Sequence, residues 1–220
     1  MKSIRLGLAA SLLLSSGCGS GLNIGEAPVF HNMIVDIQSC VGTCTAGAFS
    51  FSPTGPSPTV FGGSVLSPSG PKIIPNMEFK VLEDAIIMSP MHGMISSISK
   101  SDEQGDFAIS IVPGALSAYR VEIDHVLDVR VEVGDVVVPG QALGIAGNWD
   151  NSPLGRVELQ VNRGNEYVCP MDYLAESAKA SVEAKMTTLM FDWETIKGDN
   201  GLYDQAAMVT PGCTVHAISD

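Results

Sequence analysis

The chain has 220 residues, of which 45% are hydrophobic, and its formal net charge is −12 at pH 7. A chain of this length and composition can bury one sizeable core, so we expect one principal domain of roughly 100–150 residues. Because binding to phosphate groups needs clustered Lys and Arg, the acidic composition argues against a nucleic-acid partner and against anionic membrane surfaces.

The first 18 residues have the pattern of a bacterial lipoprotein signal peptide. Lys2 and Arg5 are positive, residues 6–14 are a short apolar run, and Cys18 follows the small residues Ser-Ser-Gly. An ordinary secretory signal with an incidental Cys is the alternative. The apolar run is too short to span a bilayer, and no later stretch reaches about 18 apolar residues. We therefore predict that a lipid on Cys18 is the membrane attachment.

Residues 19–72 are rich in Gly, Ser, Pro and Thr, and the Ser-Pro-Thr-Gly-Pro at 52–56 is echoed by Ser-Pro-Ser-Gly-Pro at 67–71. Such segments bury too little apolar surface to offset the entropy lost on ordering, which predicts a tether in part of this region. Three apolar patches are either short strands docked on the domain or apolar positions within the tether. They lie at 33–37, 49–51 and 60–61.

From residue 73 to about residue 168, short strand patterns alternate with turn signals. The first strand candidates are residues 79–82, 85–88, 94–98, 106–112 and 119–126. Many short strands with turns every 8–12 residues or so are typical of an all-β sandwich or barrel.

The clearest strand-and-turn pattern spans the next 21 residues or so. Alternating valines over 129–133 predict a half-buried strand, and Gly134-Asp135 predicts a turn. A second strand over 136–138 should end at Pro139-Gly140, because Pro lacks an amide donor and Gly tolerates positive φ. A third strand should follow over 142–146.

Residues 172–197 predict an amphipathic helix that packs on the strands. Asp172 or Ser177 could cap its start, and Gly198 should end it. The apolar positions that recur at three- and four-residue spacing are Leu174, Ala178, Val182, Met186, Leu189, Trp193 and Ile196.

Four cysteines remain when Cys18 is set aside. An even number in an exported protein predicts two disulfides, and four cysteines allow three connectivities. We predict the local pairing, Cys40 with Cys44 and Cys169 with Cys213. A metal site at the C-x-x-x-C of Cys40 and Cys44 is the alternative, although no second cysteine pair or nearby His pair accompanies it.

Four stretches resemble successive landmarks of the lysostaphin-like zinc metallopeptidases. They are IMSPMHGMI at 87–95, VGD at 133–135 with GQALG at 140–144, GRVELQV at 155–161, and CPMDYL at 169–174. Those enzymes cut peptide cross-links in peptidoglycan on a duplicated-hybrid-motif β fold. The resemblance implies a mainly β, barrel-sandwich domain of this type over residues 73–174. A C-terminal α-helix and a disulfide-tied tail would follow at 175–220.

The resemblance also identifies the positions of the zinc ligands. The family binds zinc through a His and an Asp four residues apart and through the second His of an H-x-H strand. In this chain Ile74 and Glu78 stand at the first two positions, and Arg156 and Glu158 stand at the two His positions of the strand. Zinc sites need imidazole or thiolate ligands, Ile74 offers no donor atom, and Arg156 is a permanent cation. We therefore expect no metal, no other cofactor and no catalytic residue here.

His125 lies where the family places a His that stabilises the charged intermediate of the reaction. Without zinc to activate water it has nothing to assist, and a structural interpretation is a His hydrogen-bonded beside Glu158 or Asp124. Arg156 and Glu158 are two apart on a predicted strand, so both should point to one face. They are either a solvated charge pair or part of a retained binding groove formed by Glu78, His125, Arg156 and Glu158.

Three functional interpretations follow from the resemblance. We favour a non-catalytic lipoprotein of the bacterial cell envelope that binds peptidoglycan or a cell-wall hydrolase through this groove, because degenerate family members are implied to recruit and activate murein amidases. The alternatives are an active zinc endopeptidase with atypical ligands, acting on peptidoglycan cross-links, and a structural adaptor. Gly19 is not the Asp that by family analogy retains lipoproteins in an inner membrane, so we expect the outer membrane, facing the periplasm, with the inner membrane as the alternative.

Overall fold

The computed structural model of the chain describes residues 26–67, 70–101, 105–148 and 152–219. The predicted signal peptide and the predicted lipidation site Cys18 lie outside these residues. Within them the chain forms fourteen strands and one α-helix, which confirms the predicted class, mainly β with a C-terminal helix. None of the helices in the described ranges is long and apolar enough to cross a membrane.

The strands are β1 (Cys44–Ala46), β2 (Phe49–Phe51), β3 (Ser64–Ser67), β4 (Gly70–Ile73), β5 (Met77–Leu82), β6 (Ile86–Met88), β7 (Gly93–Lys100), β8 (Phe107–Val112), β9 (Tyr119–Leu127), β10 (Val136–Val137), β11 (Ala142–Asn148), β12 (Leu154–Arg163), β13 (Glu166–Val168) and β14 (Ala217–Ser219). Helix α1 is Glu176–Lys197, and two short 3-10 helices lie at Pro170–Tyr173 and Gln205–Ala207.

Strand β12 organises the main sheet, and its pairings are antiparallel. It pairs with β5 on one side and with β9 on the other, and β8, β7 and β10 continue the sheet from β9. Along β12, Val157, Leu159 and Val161 are fully buried, whereas Arg156 and Glu158, at the alternate positions, are half-buried. This alternation follows from the two-residue period of a strand, and it places the charged side chains together on the face opposite the core.

The N-terminal segment packs into the core, which corrects the predicted tether for residues 26–67. Phe30, Phe49, Phe51 and Phe61 are fully buried, and the ring of Phe51 lies 5.0 Å from that of Trp193 on α1. The alternative of docked strands therefore describes the patch at 49–51, which is β2. The Gly, Ser and Pro content concealed this because the few aromatic residues, rather than the average composition, supply the buried surface.

One predicted strand, over residues 129–133, does not form. Strand β9 ends at Leu127, and Asp128 has the left-handed φ of 48°, so the chain turns before the valines begin. Val131 is buried but Val133 is 62% exposed, so the valines do not share one face. The predicted turns that follow are present, and the strands between and after them are β10 and β11.

Helix α1 follows the predicted stripe but begins later than predicted. Its N-cap is Ala175, which provides no side-chain hydrogen bond, so neither Asp172 nor Ser177 caps it. Asp172 lies in the preceding 3-10 helix, where its Oδ2 is 2.8 Å from Nδ1 of His216. The helix ends as predicted at Gly198, whose φ of 65° is favourable for glycine.

Both predicted disulfides are present. The Cα atoms of Cys40 and Cys44 are 6.3 Å apart, and those of Cys169 and Cys213 are 6.0 Å apart. The second bridge joins the 3-10 helix before α1 to the tail after it, and both of its cysteines are fully buried. The bridge therefore closes the loop of chain that contains the helix.

Candidate functional site

Three carboxylates stand opposite one another across three paired strands. Glu78 on β5 is the register partner of Glu158 on β12, and Glu158 is also the partner of Asp124 on β9. Neighbouring strands are about 4.8 Å apart, and like charges directly opposite each other destabilise a sheet. This row of carboxylates therefore requires cations close by.

Two permanent cations stand in the next row. Lys80 and Arg156 are register partners on the same two strands, and Nζ of Lys80 contacts Oε1 of Glu78. Nε of Arg156 lies 3.7 Å from Oε1 of Glu78 and 3.7 Å from Oε1 of Glu158. The Arg156 side chain is only 20% exposed, so its guanidinium group lies between the two carboxylates in a partly dehydrated setting.

His125 at the end of β9 completes the cluster. Its backbone φ is 62°, an unusual value for a non-glycine residue that turns the imidazole toward the interior. Nδ1 lies 2.9 Å from Oδ2 of Asp106, a fully buried carboxylate just before β8. Gly147 makes room for this pair, because a Cβ at that position would lie 2.7 Å from Asp106 Oδ2 and 2.9 Å from His125 Cβ.

The other ring nitrogen of His125 faces the charged row. Nε2 contacts Nη2 of Arg156 and lies 3.6 Å from Oε1 of Glu158 and 3.9 Å from Oδ2 of Asp124. A guanidinium group can only donate, so the contact with Arg156 requires a neutral ring whose Nδ1–H is donated to Asp106. A protonated ring would instead direct Nε2–H to the carboxylates.

The electrostatics of the cluster favour charge on both His125 and Glu158. Burial lowers the pKa of His125, but its interactions with Glu158 and Asp106 and the charge of Asp124 outweigh burial and raise the pKa above 6.5. For Glu158, burial raises the pKa, but the contact with His125 and the charges of Arg156 and Lys80 outweigh it and lower the pKa below 4.5. Glu158 is therefore ionised at neutral pH.

Several polar atoms of this cluster lack a partner. In the described part of the chain, four buried side-chain polar atoms make no hydrogen bond, and three of them lie here: Asn76 Oδ1, Asp106 Oδ1 and Arg156 Nε. The amide nitrogen of Asn76 donates to Oε2 of Glu158, so Asn76 also belongs to the site. Because buried polar groups in stable proteins are nearly always paired, these atoms distinguish the cluster from the remainder of the fold.

The residues at the family's ligand positions do not fit zinc. Ile74 has no donor side chain, and its backbone N–H is bonded to the carbonyl of Gly63 at 2.8 Å. Glu78 and Glu158 are carboxylates already in contact with cations, and Arg156 lies between them. A tetrahedral zinc site with an open position cannot form where a guanidinium group occupies the space.

A second set of potential ligands is also engaged within the protein. Within the ranges that the structure describes, Asp106, Asp124 and His125 have ligand atoms within 4.8 Å of one another, a spacing that could hold a metal ion. However, Asp106 Oδ2 accepts from His125 Nδ1, and Asp124 Oδ1 accepts from the His125 backbone N–H at 2.8 Å. The contact of Arg156 with the same imidazole makes this set unsuitable for a second cation.

The predicted groove residues are thus in one place, but the sequence did not indicate all of their neighbours. Glu78, His125, Arg156 and Glu158 lie together, and His125 lies beside Glu158 and Asp124, as the structural interpretation of that residue expects. Asp106, the principal partner of His125, was not predicted. The antiparallel pairing of the two predicted strands places Phe107 opposite Val126, so Asp106 falls opposite Leu127, two residues from His125. The pairing therefore gives only the approximate position of Asp106.

No family model matches the sequence, and no curated protein matches it. The similar solved structures include lysostaphin from Staphylococcus simulans, at 22% identity and a TM-score of 0.39, with 47% of this chain covered and 44% of that chain. This chain therefore spans less than half the length of that structure.

Two further solved structures are similar to this chain at comparable identity and TM-score. A mutant catalytic domain of the prophage-encoded M23 protein EnpA from Enterococcus faecalis is 19% identical, with a TM-score of 0.43, over 52% of this chain and 88% of that chain. A chain of the SpoIIQ–SpoIIIAH pore-forming complex is 14% identical, with a TM-score of 0.42, over 55% and 76%. These neighbours include the lysostaphin-like domains that the sequence landmarks predict. The likenesses are distant, and the positions of the site residues come from the landmarks and the strand register.

Proposed function

We propose that this protein is a non-catalytic lipoprotein of the bacterial cell envelope with a degenerate peptidoglycan-metallopeptidase domain. Its groove, formed by Glu78, His125, Arg156 and Glu158, binds peptidoglycan or a murein-hydrolase partner. The observation that carries this proposal is the Arg156 guanidinium group, which lies between the two carboxylates at former ligand positions.

The absence of catalysis follows from the chemistry of the donors. Metallopeptidases need a bound metal that lowers the pKa of water and polarises the peptide carbonyl. Here a cation that can only donate hydrogen bonds stands where such a metal would bind, and Ile74 supplies no ligand. His125 alone, held by Asp106, cannot replace the metal as an electrophile.

A binding role is supported by the partial exposure of the charged side chains in the groove. The charged side chains of Glu78, Lys80, Arg156 and Glu158 are 10–20% exposed, so they are recessed from the surface yet reachable. Two buried polar atoms without a hydrogen-bond partner, Asn76 Oδ1 and Arg156 Nε, belong to this face. A recessed polar face of this kind suits a polar ligand with both donors and acceptors, such as a wall peptide or a loop of a partner protein.

Envelope localisation rests on the signal pattern and on the cysteines. Two disulfides are expected in an oxidising compartment and are uncommon in the cytosol. Replacing Cys18 with Ala should release the protein from the membrane into the soluble envelope fraction. Unchanged membrane association of Cys18→Ala would contradict lipid anchoring.

The metal content of the purified protein tests the non-catalytic proposal. The wild-type chain should hold less than about a tenth of an equivalent of zinc under conditions in which a three-ligand site saturates. It should also release no peptides from purified peptidoglycan. Stoichiometric zinc, together with hydrolysis that His125→Ala abolishes, would establish the active peptidase instead.

Groove binding is tested with a double variant and a matched control. Arg156→Ala/Glu158→Ala should lose co-sedimentation with purified sacculi, or capture of a cell-wall hydrolase, while circular dichroism shows a folded chain. The control is Arg163→Ala/Glu166→Ala, which removes an exposed ion pair at the other end of β12. Retention of both interactions by the groove variant would exclude the groove as the binding surface, and the two assays separate a wall ligand from a protein partner.

A further inference from the structure

The charged groups around Arg156 resemble the contents of an occupied ion site. Glu78 and Glu158 approach its Nε from two neighbouring strands at equal distances of 3.7 Å, and His125 Nε2 contacts its Nη2. Two carboxylates and, in its neutral form, one imidazole thus converge on one guanidinium group. A solvated surface pair has no such convergence of charged groups, as the exposed pair of Arg163 and Glu166 on the same strand illustrates.

We infer that Glu78 and Glu158, together with the neutral form of His125, form a cation-binding site that the protein fills with its own Arg156 guanidinium group. The bound group holds the carboxylate row together, so that the groove keeps its shape without a metal. This inference goes beyond the proposed function and rests on it for one point, the identification of Glu78 and Glu158 with former ligand positions.

The register of the strands explains why a cation is needed at this place. Glu158 faces Glu78 on one side and Asp124 on the other, so its charge is repelled from both directions. Lys80 contacts Glu78 from the same strand and is the register partner of Arg156. Nε of Arg156 is 3.7 Å from both glutamates, which is beyond hydrogen-bond distance, so its charge offsets both carboxylates by Coulomb attraction.

The covalent attachment of this cation has a further effect. A side chain tethered beside its own site acts at a high effective concentration, on the order of millimolar or above. A free metal ion would have to displace this guanidinium group before it could reach the two carboxylates and the imidazole. The self-occupied site therefore excludes external cations as well as replacing them.

A thermodynamic cycle on Arg156 and Glu158 tests this inference. Arg156→Gln should lower the melting temperature by about 5–10 °C, because it leaves a partly buried carboxylate row without its cation. Adding Glu158→Gln to this variant should restore a large part of the loss, because the uncompensated charge is removed. Arg163→Gln, the matched control, should shift the melting temperature by less than about 2 °C.

The cycle remains decisive if the single variant does not fold. Recovery of a folded chain in Arg156→Gln/Glu158→Gln supports the inference, whereas losses that add, or a double variant that also fails to fold, overturn it. A melting temperature of Arg156→Gln within about 2 °C of wild type overturns it as well. These outcomes are separate from the proposed function, which fails when the wild-type chain holds stoichiometric zinc.

Rescue by an added cation gives an independent measurement. Ethylguanidinium at millimolar concentration should raise the melting temperature of Arg156→Ala, because a ligand that binds only the folded state stabilises it. It should not raise the melting temperature of the wild-type protein, whose site is already filled, or that of Arg163→Ala. An equal response of Arg156→Ala and Arg163→Ala would show that no cation site is opened.

Discussion

The two faces of strand β12 are built from neighbouring residues but depend on different physics. On one face Val157, Leu159 and Val161 are fully buried against the core. On the other, Arg156 and Glu158 are half-buried and engage charged residues of β5 and β9. The apolar face needs only hydrophobic side chains at alternate positions, whereas the polar face needs particular partners at particular register positions.

The largest expected effect comes from the apolar face. Leu159→Ala should lower the free energy of unfolding by about 3–4 kcal/mol, because it leaves a cavity in a fully packed core. Gln160→Ala, on the polar face of the same strand, should cost less than about 1 kcal/mol, since it removes one hydrogen bond to Asn162 at 2.9 Å. Urea unfolding measures both changes, and similar losses would mean that the two faces do not differ as described.

A smaller effect is expected from the buried partner of the polar cluster. Asp106→Asn should lower the pKa of His125, because an amide no longer stabilises the imidazolium charge. Titration of the imidazole by NMR measures this. The stability should fall by about 1–2 kcal/mol, since Asn keeps an acceptor for Nδ1–H.

The control for this variant is Asp128→Asn, which lies three residues after His125 in an exposed ion pair with Arg130. It should leave the His125 titration unchanged. If both variants lower the pKa of His125 equally, net charge rather than the buried contact sets it.

The smallest effect is the pH dependence that distinguishes the two faces. The pKa of His125 is raised above 6.5 in the folded state, so its contribution to stability is fully present below pH 6.5 and is lost as the pH rises through the raised pKa. The pKa of Glu158 is lowered below 4.5, so its contribution is present above pH 4.5 and is lost as the pH falls through the lowered pKa. Together the two residues stabilise the fold most between pH 4.5 and pH 6.5.

Melting temperatures measured from pH 3 to pH 9 or so test this dependence. The difference in melting temperature between wild type and His125→Gln should be largest between pH 4.5 and pH 6.5. It should become smaller as the pH rises above this range. The loss in Leu159→Ala should not vary with pH, because no charged group is involved. A pH-independent effect of His125→Gln would contradict the electrostatic account of the cluster.

The sequence predicted those parts of the molecule that depend on local patterns. Strands β5 to β9 and helix α1 follow from apolar periodicity, and Arg156 and Glu158 share a face because a strand has a period of two. The disulfide pairing followed from proximity in the chain. The four groove residues were assembled from landmarks that fix the strand register.

The parts that were missed depend on distant contacts. Asp106 gave no local sign that it would be buried against His125, because its burial depends on the pairing of β8 with β9 and on the space left by Gly147. The strand at 129–133 failed because Asp128 adopts a left-handed backbone conformation that no periodicity reports. Phe49 and Phe51 lay in a segment whose average composition suggested a tether, although Phe51 packs against Trp193, 142 positions later, and Phe49 packs against Phe79.

The hydrogen bonds between the N-terminal segment and α1 affect the order in which the chain can fold. Oδ2 of Asp192 accepts hydrogen bonds from the backbone N–H of Cys40 at 2.9 Å and from the hydroxyl of Ser39 at 3.0 Å, across 152 and 153 residues of sequence. A chain that leaves a ribosome or translocon N-terminus first must therefore have emerged almost completely before these hydrogen bonds can form. Until then Phe51 lacks its contact with Trp193, and Cys40 lacks its hydrogen bond to Asp192. The N-terminal segment can therefore complete its packing only at the end of synthesis.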